Sequence, residues 1–405
     1  MLITLAWRNL WRHPSRTWLS IASMALTAAL LVFMLSFQLG MYDTLRSGAL
    51  KLLDGFAQVQ PPGYIDDPDV RKVIHSPQQL VSSLNHIDGM IAAPRASSYV
   101  ILAHDQLSYG ALLEGVDASR EPRITTLAAT IHSGRYLNAQ DSQNIIMGRT
   151  LARNLKLSVG DKVTLLGSAA DGSIAADSLT LTGIFDTGVI EVDRQLAQMP
   201  LARFQETFAM NRDVNIIAIG GGSLHAVDQQ LPRIDKIAEN SKLVLHNWTV
   251  LRPDVHQAIT LDFSTALLWY AAMVLIVTFI LLNTLLMSVF ERQREFGILL
   301  AIGMQARQTG IMIWLELLLL AALGNIIGIL LGGSATLWLQ YQGISLGKFS
   351  GLFAQWGLPD RIHPQLSMTS AVSGPLVMII LIGIAGLIPY YHLRRVTPLT
   401  AMQSI

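Results

Sequence analysis

The sequence contains no cysteine, which excludes disulfide bonds, thiol nucleophiles and cysteine metal ligands. Charged residues are also scarce, at 14% of 405 residues, where a soluble domain carries about a quarter. With 51% hydrophobic residues and a mean hydropathy of +0.42, the chain is expected to be an integral membrane protein with a sizeable soluble part. A net charge of +1 without a basic stripe excludes a nucleic-acid partner.

The sequence also lacks the patterns of a catalytic or metal centre. The ten histidines show no His-x-x-x-His or similar metal spacing. Gly347 and Lys348 lack the spacing of a phosphate-binding loop, and Phe349 stands where that loop needs Ser or Thr. No serine lies in the frame of a nucleophile elbow. We therefore expect no catalytic residue, no metal and no cofactor in this chain.

Four apolar stretches are long enough to cross a membrane. The first has about 24 residues at ~1.5 Å each, which is roughly 36 Å against a hydrocarbon core of ~30 Å. It is too long for the apolar region of a cleaved signal peptide, the alternative for arginines followed by an apolar run. The expected spans are 17–42, 267–289, 311–331 and 371–391.

Arginines indicate which ends of the spans face the cytoplasm. They precede the first span, separate the second from the third and follow the fourth, as Arg8, Arg12, Arg16, Arg292, Arg294, Arg307, Arg394 and Arg395. The positive-inside rule then places both termini in the cytoplasm. Residues 1–16 are expected to form an amphipathic helix along the inner membrane surface, 392–405 a cytoplasmic tail and 333–370 an outer loop.

About 225 residues separate the first two spans, enough for one or two domains. Strand-like and helical stretches mix there between Gly-, Asp- and Ser-rich turns, which predicts an α+β domain at 61–250. The expected strands are 99–102, 162–166, 178–185, 214–219 and 242–245. Helical sequences at 43–60 and 251–266 continue the spans as a stalk. The expected fold is an α-helical membrane protein with four transmembrane helices and an α+β extracytoplasmic domain inserted between the first and second helices.

The segment 290–304 joins the second and third spans and is the most charged part of the C-terminal half. Its two faces are formed by Glu291, Arg292, Arg294 and Glu295 on the charged side and by Phe296, Leu299 and Leu300 on the apolar side. Gly303 fits the position after a helix end. The pattern predicts a short amphipathic cytoplasmic helix. A solvated loop with positive-inside arginines is the alternative from these residues alone.

Small and polar residues interrupt the spans. A ridge at four-residue spacing in the third span favours close helix packing, either within the chain or across a dimer, and consists of Gly324, Gly328 and Gly332. Asn283, Glu316 and Asn325 are polar at membrane depth, where an ion or proton path is the default hypothesis. That path is not favoured, because Glu316 lies within about two turns of the cytoplasmic boundary and no second acid lies deep in the membrane.

Five motifs together carry a family resemblance. They are Ala6-Trp-Arg-Asn-Leu-Trp-Arg12 with Arg16-Thr17, the outer stretches 148–165 and 183–188, the cytoplasmic stretch Glu291-Arg-Gln-Arg-Glu-Phe-Gly-Ile-Leu-Leu-Ala-Ile-Gly303, and the tail 394–401. Over its whole length the chain resembles the FtsX-like, MacB-type superfamily of ABC transporter permeases, which includes the lipoprotein-releasing permeases.

The resemblance implies a non-catalytic permease subunit of the bacterial inner membrane. In this superfamily, ATP-driven closure of a cytoplasmic ATPase dimer moves the spans and the stalk, and the stalk in turn moves the outer domains. No ATPase domain is fused to this sequence, so ATP and Mg²⁺ are expected on a separate ABC ATPase. The residues expected to dock in the ATPase groove are Glu291, Arg292, Glu295, Phe296, Gly297, Leu300 and Gly303.

The function implied is extraction or export of a lipoprotein, a lipid or another amphiphile. The implied partners are the ATPase dimer, a second permease copy or paralogue, a periplasmic acceptor or adaptor, and membrane lipids. Two alternatives stay open: peptide or drug efflux, and a regulatory scaffold whose outer domain activates a periplasmic partner such as a cell-wall hydrolase. The residues do not decide between a homodimer and a heterodimer.

Overall fold

The computed structural model describes residues 2–12, 14–291, 304–345, 347 and 361–388. Within them the chain divides into two compact units. The first unit comprises the described residues of 1–42, 259–345 and 361–405, and the second unit comprises residues 43–258.

Long helices make up the first unit. After α1 (Leu2–Leu10) come α2 (Pro14–Ala49), which ends in a π-helical turn at Leu50–Asp54, then α9 (Pro253–Glu291), α10 (Ala306–Gln342) and α11 (Met368–Ala385). In the described part of the chain, α2, α9, α10 and α11 are long and apolar enough to cross a membrane. At ~1.5 Å per residue, the 36 residues of α2 and 39 of α9 measure roughly 54 and 58 Å, well beyond a hydrocarbon core of ~30 Å. Part of each helix therefore lies outside the bilayer.

The helices of the first unit share one buried apolar cluster. Met24 and Leu31 of α2 meet Val277 of α9, Leu317 of α10 and Ile382 of α11 there. Large apolar side chains are exposed on the outer faces, as expected of helices that lipid covers, since the hydrocarbon solvates apolar groups and the helix bonds its own backbone.

Several expected boundaries differ from the structure. The helix expected over residues 1–16 is divided, since α1 ends at Leu10 and α2 begins at Pro14. Helix α10 continues through Gly332 and Gly333 to Gln342, so the first ten residues of the expected outer loop are helical. Glycine costs helix stability, but Gly332 packs against the backbone of Ala29, and this contact offsets the cost. In the second unit, residues 57–60 of the expected stalk form a strand.

A ten-stranded sheet organises the second unit. Its strands are β1 (Ala57–Gln60), β2 (Met90–His104), β3 (Leu107–Val116), β4 (Ile131–Gly134), β5 (Asn144–Gly148), β6 (Lys162–Ser168), β7 (Ile174–Phe185), β8 (Leu196–Pro200), β9 (Ile216–Gly221) and β10 (Val244–Asn247). The order is β10-β1-β9-β2-β3-β8-β5-β7-β4, and β6 pairs with both β2 and β7. Strands β2, β3, β8, β5, β7 and β6 therefore close into a ring.

The interior of this ring is the main core of the second unit. Inward side chains alternate with outward ones along each strand, as Val163 and Leu165 do in β6. Helices α4 (Arg149–Leu155) and α6 (Leu201–Thr207) contribute to this core, and Phe204 stacks on Phe208 with ring centroids 4.2 Å apart. Gly115 of β3 makes room for this stack, since a Cβ there would lie 2.5 Å from the Cβ of Phe204.

The strands β10, β1 and β9 extend the sheet beyond the ring. One face of this extension packs on α3 (Pro77–Asn85) and α7 (Leu224–Asn240) in a second apolar core. The side chain of Ser223 caps α7 by accepting a hydrogen bond from the amide of Ala226 at 3.2 Å. The remaining short helices are α5 (Ile190–Gln195) and α8 (Trp248–Leu251). The other face of the sheet carries buried polar residues.

Candidate functional site: the stalk junction

The residues expected to dock on an ATPase lie at the edge of the described chain. Glu291 is the last residue of α9. The other six, Arg292, Glu295, Phe296, Gly297, Leu300 and Gly303, lie outside the described residues. The site that the structure defines is in the second unit, at the end of α2.

The glycine ridge of α10 faces α2 of the same chain. A Cβ at Gly324 would overlap the Cβ of Met24, and one at Gly328 would lie 2.5 Å from the Cβ of Ala28. A Cβ at Gly332 would lie 2.7 Å from the backbone of Ala29. From Gly324 to Gly332, the contacts advance along α2 in the same direction as along α10, so the two helices run parallel. The small residues let their backbones come nearly into contact.

The polar residues of the spans also have defined places. Glu316 is buried and accepts a hydrogen bond from the side-chain amide of Asn9 at 2.8 Å, which ties α1 to α10. Asn325 is buried with no hydrogen-bond partner for its amide among the described residues. Asn283 is exposed. The three therefore do not form a continuous polar path.

The last turn of the first stalk helix is held by groups from the rest of the second unit. A helix end leaves carbonyl oxygens without partners inside the helix. Here five of them accept hydrogen bonds: Ala49 from Arg252 Nη1 (3.4 Å), Leu50 from the amide of Gly55 (2.9 Å), Lys51 from the amide of Thr126 (2.7 Å), Leu53 from Arg95 Nη1 (2.6 Å) and Asp54 from Gln58 Nε2 (2.8 Å). Two of the donors are guanidinium groups, which also suit the negative end of the helix dipole. We call residues 49–54 with Arg95, Glu121 and Arg252 the stalk junction.

Arg95 is the centre of the stalk junction. It lies in β2 with only 2% of its side chain exposed, and its partner Glu121, in a short 3₁₀ turn, is fully buried. Nε and Nη2 of Arg95 donate to the two carboxylate oxygens of Glu121 at 3.0 and 2.6 Å, a bidentate geometry. The hydroxyl of Thr125 donates to the same carboxylate at 2.9 Å. These bonds leave Arg95 one fixed orientation, towards the carbonyl of Leu53.

Further charges surround this pair. Arg252 lies 3.7 Å from Asp54 and 2.8 Å from Asp254 in the first turn of α9, so it contacts both stalk helices. Burial raises the pKa of Asp54 to about 6, although Arg252 and Arg95 favour the charged carboxylate. Burial likewise raises the pKa of Glu114, which is opposed by Arg95 and by a hydrogen bond from Gln198 at 2.9 Å.

The buried charges of the stalk junction hold a helix end in place. Among the described residues, no group of three or more His, Asp or Glu side chains could hold a metal ion. The stalk junction instead fixes a helix end to a closed ring of strands through short, buried, charge-assisted bonds. The sequence reasoning did not identify it. The one available signal was Arg95 itself, a lone charge within the apolar and small residues of 90–100.

Comparison with known proteins agrees with this architecture. The sequence matches the MacB-like periplasmic core domain over residues 17–234 and the FtsX-like permease C-terminal domain over 268–398. The lipoprotein-releasing system transmembrane protein LolC of Neisseria meningitidis serogroup B is 25% identical over 301 residues, which cover 71% of this chain and 69% of that protein. LolE of Haemophilus influenzae is 26% identical over 270 residues, covering 62% and 63%.

Among solved structures, the periplasmic region of MacB from Actinobacillus actinomycetemcomitans aligns with a TM-score of 0.37 and 12% identity, covering 50% of this chain and 93% of that one. The periplasmic core match alone extends over more than half of the sequence. This chain belongs to the FtsX-like, MacB-type family of ABC transporter permeases.

Proposed function

We propose that this chain is the inner-membrane subunit of an ABC transporter that extracts or exports a lipoprotein or another amphiphile. A separate cytoplasmic ATPase dimer docks on residues 290–304 and supplies ATP hydrolysis, with both chain termini cytoplasmic and the second unit periplasmic. The lipoprotein-releasing names of the relatives support the substrate class. A second permease copy or paralogue and a periplasmic acceptor or adaptor complete the assembly.

The stalk junction is the observation that carries the mechanical part of this proposal. Helix α2 and its π-helical turn run without a break from Pro14 to Asp54. Arg95 of β2 is bonded to the carbonyl of Leu53, so a displacement of Leu53 would also displace β2. Arg252 connects the stalk junction to α9 through its ion pair with Asp254. A movement of the spans therefore becomes a movement of the ring of strands.

Copurification of the full-length chain from its native membrane tests the subunit assignment. The expected result is a stoichiometric ABC ATPase, alone or with a second permease. The purified complex, reconstituted in vesicles with a fluorescently labelled lipoprotein, should release the label to an acceptor in an ATP-dependent way. A chain that copurifies with a periplasmic enzyme and with no ATPase contradicts the transporter proposal.

One observation favours the regulatory alternative. Four apolar residues lie on the same outer face of the ring: Tyr99, Ile101, Leu166 and Ile174. Tyr99 is two residues from Ile101 in β2, Ile101 pairs with Leu166 in β6, and Ile174 of β7 pairs with Ser168, two residues beyond Leu166. All four are exposed, Ile174 by 81%. An exposed apolar face on a strand ring suits a protein partner. Loss of a copurifying periplasmic protein in an Ile101→Ser, Ile174→Ser variant, with ATPase binding unchanged, supports that role for this face.

A further inference from the structure

A groove runs along the outer surface of the packed pair α2 and α10. Its volume is about 520 Å³, and its walls are apolar throughout. The floor is made of small residues, Ala22, Ala25, Ala29, Gly332 and Ala335, and the rims of large ones such as Leu26, Phe33 and Leu331. Leu26 and Leu331 are exposed, so the groove opens on the surface that faces the bilayer.

The dimensions of the groove suit a single hydrocarbon chain. It extends along α2 from Trp18 to Phe33, roughly 22 Å at ~1.5 Å per residue, which exceeds the ~15 Å depth of one leaflet of the hydrocarbon core. A volume of about 520 Å³ over that length gives a mean cross-section of roughly 24 Å², comparable with that of one extended hydrocarbon chain.

Aromatic and basic residues surround the N-terminal mouth of the groove. Trp18 lines the mouth, and its ring packs edge-on against Trp11 with centroids 5.9 Å apart. Trp11 in turn packs against Trp7 at 6.0 Å. Tryptophan prefers the headgroup level of a membrane because its ring is apolar and its N–H is polar. The mouth is therefore at the depth where lipid phosphates lie.

The charged residues of the N-terminal segment are basic. Arg8, Arg12 and Arg16 lie on and after α1, and no Asp or Glu precedes Asp43 in the sequence. Glu316 of α10 is buried and accepts a hydrogen bond from Asn9. Basic residues at a membrane surface attract anionic lipids, by about fivefold in affinity for each Lys or Arg.

We propose that this groove is a binding site for one anionic phospholipid of the leaflet that contains the N-terminal helix. One acyl chain occupies the groove between α2 and α10, and the headgroup phosphate lies against the arginines and tryptophans of α1 and the start of α2. The lipid comes from the surrounding bilayer, because the groove opens sideways to it. This site does not depend on the transport proposal.

Native mass spectrometry of the full-length chain, with whatever subunits copurify, tests the site. The protein is delipidated in detergent and then titrated with phosphatidylglycerol or phosphatidylcholine of equal chain length. We expect the protein to bind one phosphatidylglycerol per chain in clear preference to phosphatidylcholine. Ala22→Phe fills the exposed floor of the groove and should abolish this binding. Ala272→Phe makes the same change on an exposed position of α9 and should leave it intact.

A second pair of variants tests the headgroup contact without filling the groove. Arg12→Gln with Arg16→Gln should weaken phosphatidylglycerol binding roughly 25-fold, at about fivefold for each arginine, and leave phosphatidylcholine binding unchanged. Arg212→Gln with Arg233→Gln, two exposed arginines of the second unit, is the charge-matched control.

Four results would overturn the proposal. The first is equal affinity for the two lipids, and the second is full phosphatidylglycerol binding by Ala22→Phe. The third is a change of oligomeric state in Ala22→Phe with lipid binding preserved, which would assign the groove to a second copy. If the native complex carries a lipoprotein acyl chain that Ala22→Phe displaces, the occupant is the transported substrate and the phospholipid assignment is wrong.

Discussion

Replacing Arg95 with methionine removes the guanidinium that joins the carbonyl of Leu53 to Glu121 inside the second unit. Both partners of the ion pair are buried, so water cannot hydrate the carboxylate left behind. Breaking a buried pair from one side costs about 3 to 5 kcal/mol, and the orphaned carbonyl of Leu53 adds about 1 kcal/mol. We expect Arg95→Met to lower the free energy of unfolding of the second unit by roughly 4 to 6 kcal/mol, where a whole domain has about 5 to 15.

A double variant separates stability from force transmission. In Arg95→Met with Glu121→Leu, no charge is left buried, and apolar replacement of a whole buried pair is often neutral. The double variant should therefore recover about 3 kcal/mol of the unfolding free energy that Arg95→Met loses. This value is within the range of about 0.5 to 3 kcal/mol that double-mutant cycles give for residues in contact. It still lacks the bond to Leu53. We expect it to fold, bind its ATPase and hydrolyse ATP, while ATP-dependent release of a labelled lipoprotein falls strongly.

The stability part is measured by hydrogen exchange of the amides of β2 and β9 in the full-length protein, because exchange reports local opening without requiring two-state unfolding of a membrane protein. Arg95→Lys, which keeps the charge but not the bidentate geometry, should fall between the wild type and the methionine variant. Unchanged protection in Arg95→Met would refute the energetic reasoning. A double variant that folds and transports like the wild type would refute the role of the stalk junction.

Three further predictions concern other parts of the chain. Because the pKa of Asp54 is raised in the folded state, its contribution to stability is full below the unfolded pKa of about 4 and is lost as pH rises through about 6. The free energy of protection of the amides of residues 50–56 against hydrogen exchange should therefore fall by roughly 1 to 2 kcal/mol between pH 5 and 7. Asp54→Asn should remove this pH dependence. Gly328→Ala places a Cβ 2.5 Å from Ala28 and should destabilise the helix pair by about 1 to 3 kcal/mol, seen as a lower thermal midpoint in detergent. Glu295→Arg should uncouple ATP hydrolysis from transport without unfolding the protein, measured as substrate-stimulated ATPase activity.

Each of these has a matched control. Intrinsic amide exchange at each pH is calibrated on the unfolded chain, and a flat profile in the wild type contradicts the Asp54 prediction. Gly333→Ala gains the same helix propensity as Gly328→Ala, but its Cβ meets only Leu366 at 4.0 Å, so equal midpoints for the two variants contradict the packing argument. Glu239→Arg reverses an exposed charge of α7, and normal substrate-stimulated activity in Glu295→Arg would remove the coupling role.

Local sequence pattern was enough to predict five of the ten strands of the second unit. All five expected strands overlap observed ones, because alternation of apolar and polar residues, as in 162–166, depends only on which face of a strand is buried. Closure of the ring could not be predicted in this way. It requires Ile101 to pair with Leu166, which lies 65 positions along the chain, and a periodic pattern carries no information about the partner strand.

The candidate sites show the same division between local and long-range information. Gly324, Gly328 and Gly332 were identified from their spacing, but spacing alone left intramolecular and dimer packing open, and only the position of α2 places them against Met24 and Ala28. Arg95 was not identified, because its partners Glu121 and the carbonyl of Leu53 come from distant segments. The docking residues of 290–304 rest on family resemblance and remain a prediction.

The proposed transmission requires α2 and α9 to move together, and the structure ties them in both units. In the first unit, Tyr42 donates a hydrogen bond to Asp262 at 2.7 Å, and Gln38 bonds both Asp262 (3.2 Å) and Tyr270 (2.9 Å). In the second unit, Arg252 joins the carbonyl of Ala49 to the first turn of α9. Two helices held at two levels resist sliding past each other, since a shift of one residue breaks both sets of bonds. In the proposed mechanism, α2 and α9 therefore move as a pair.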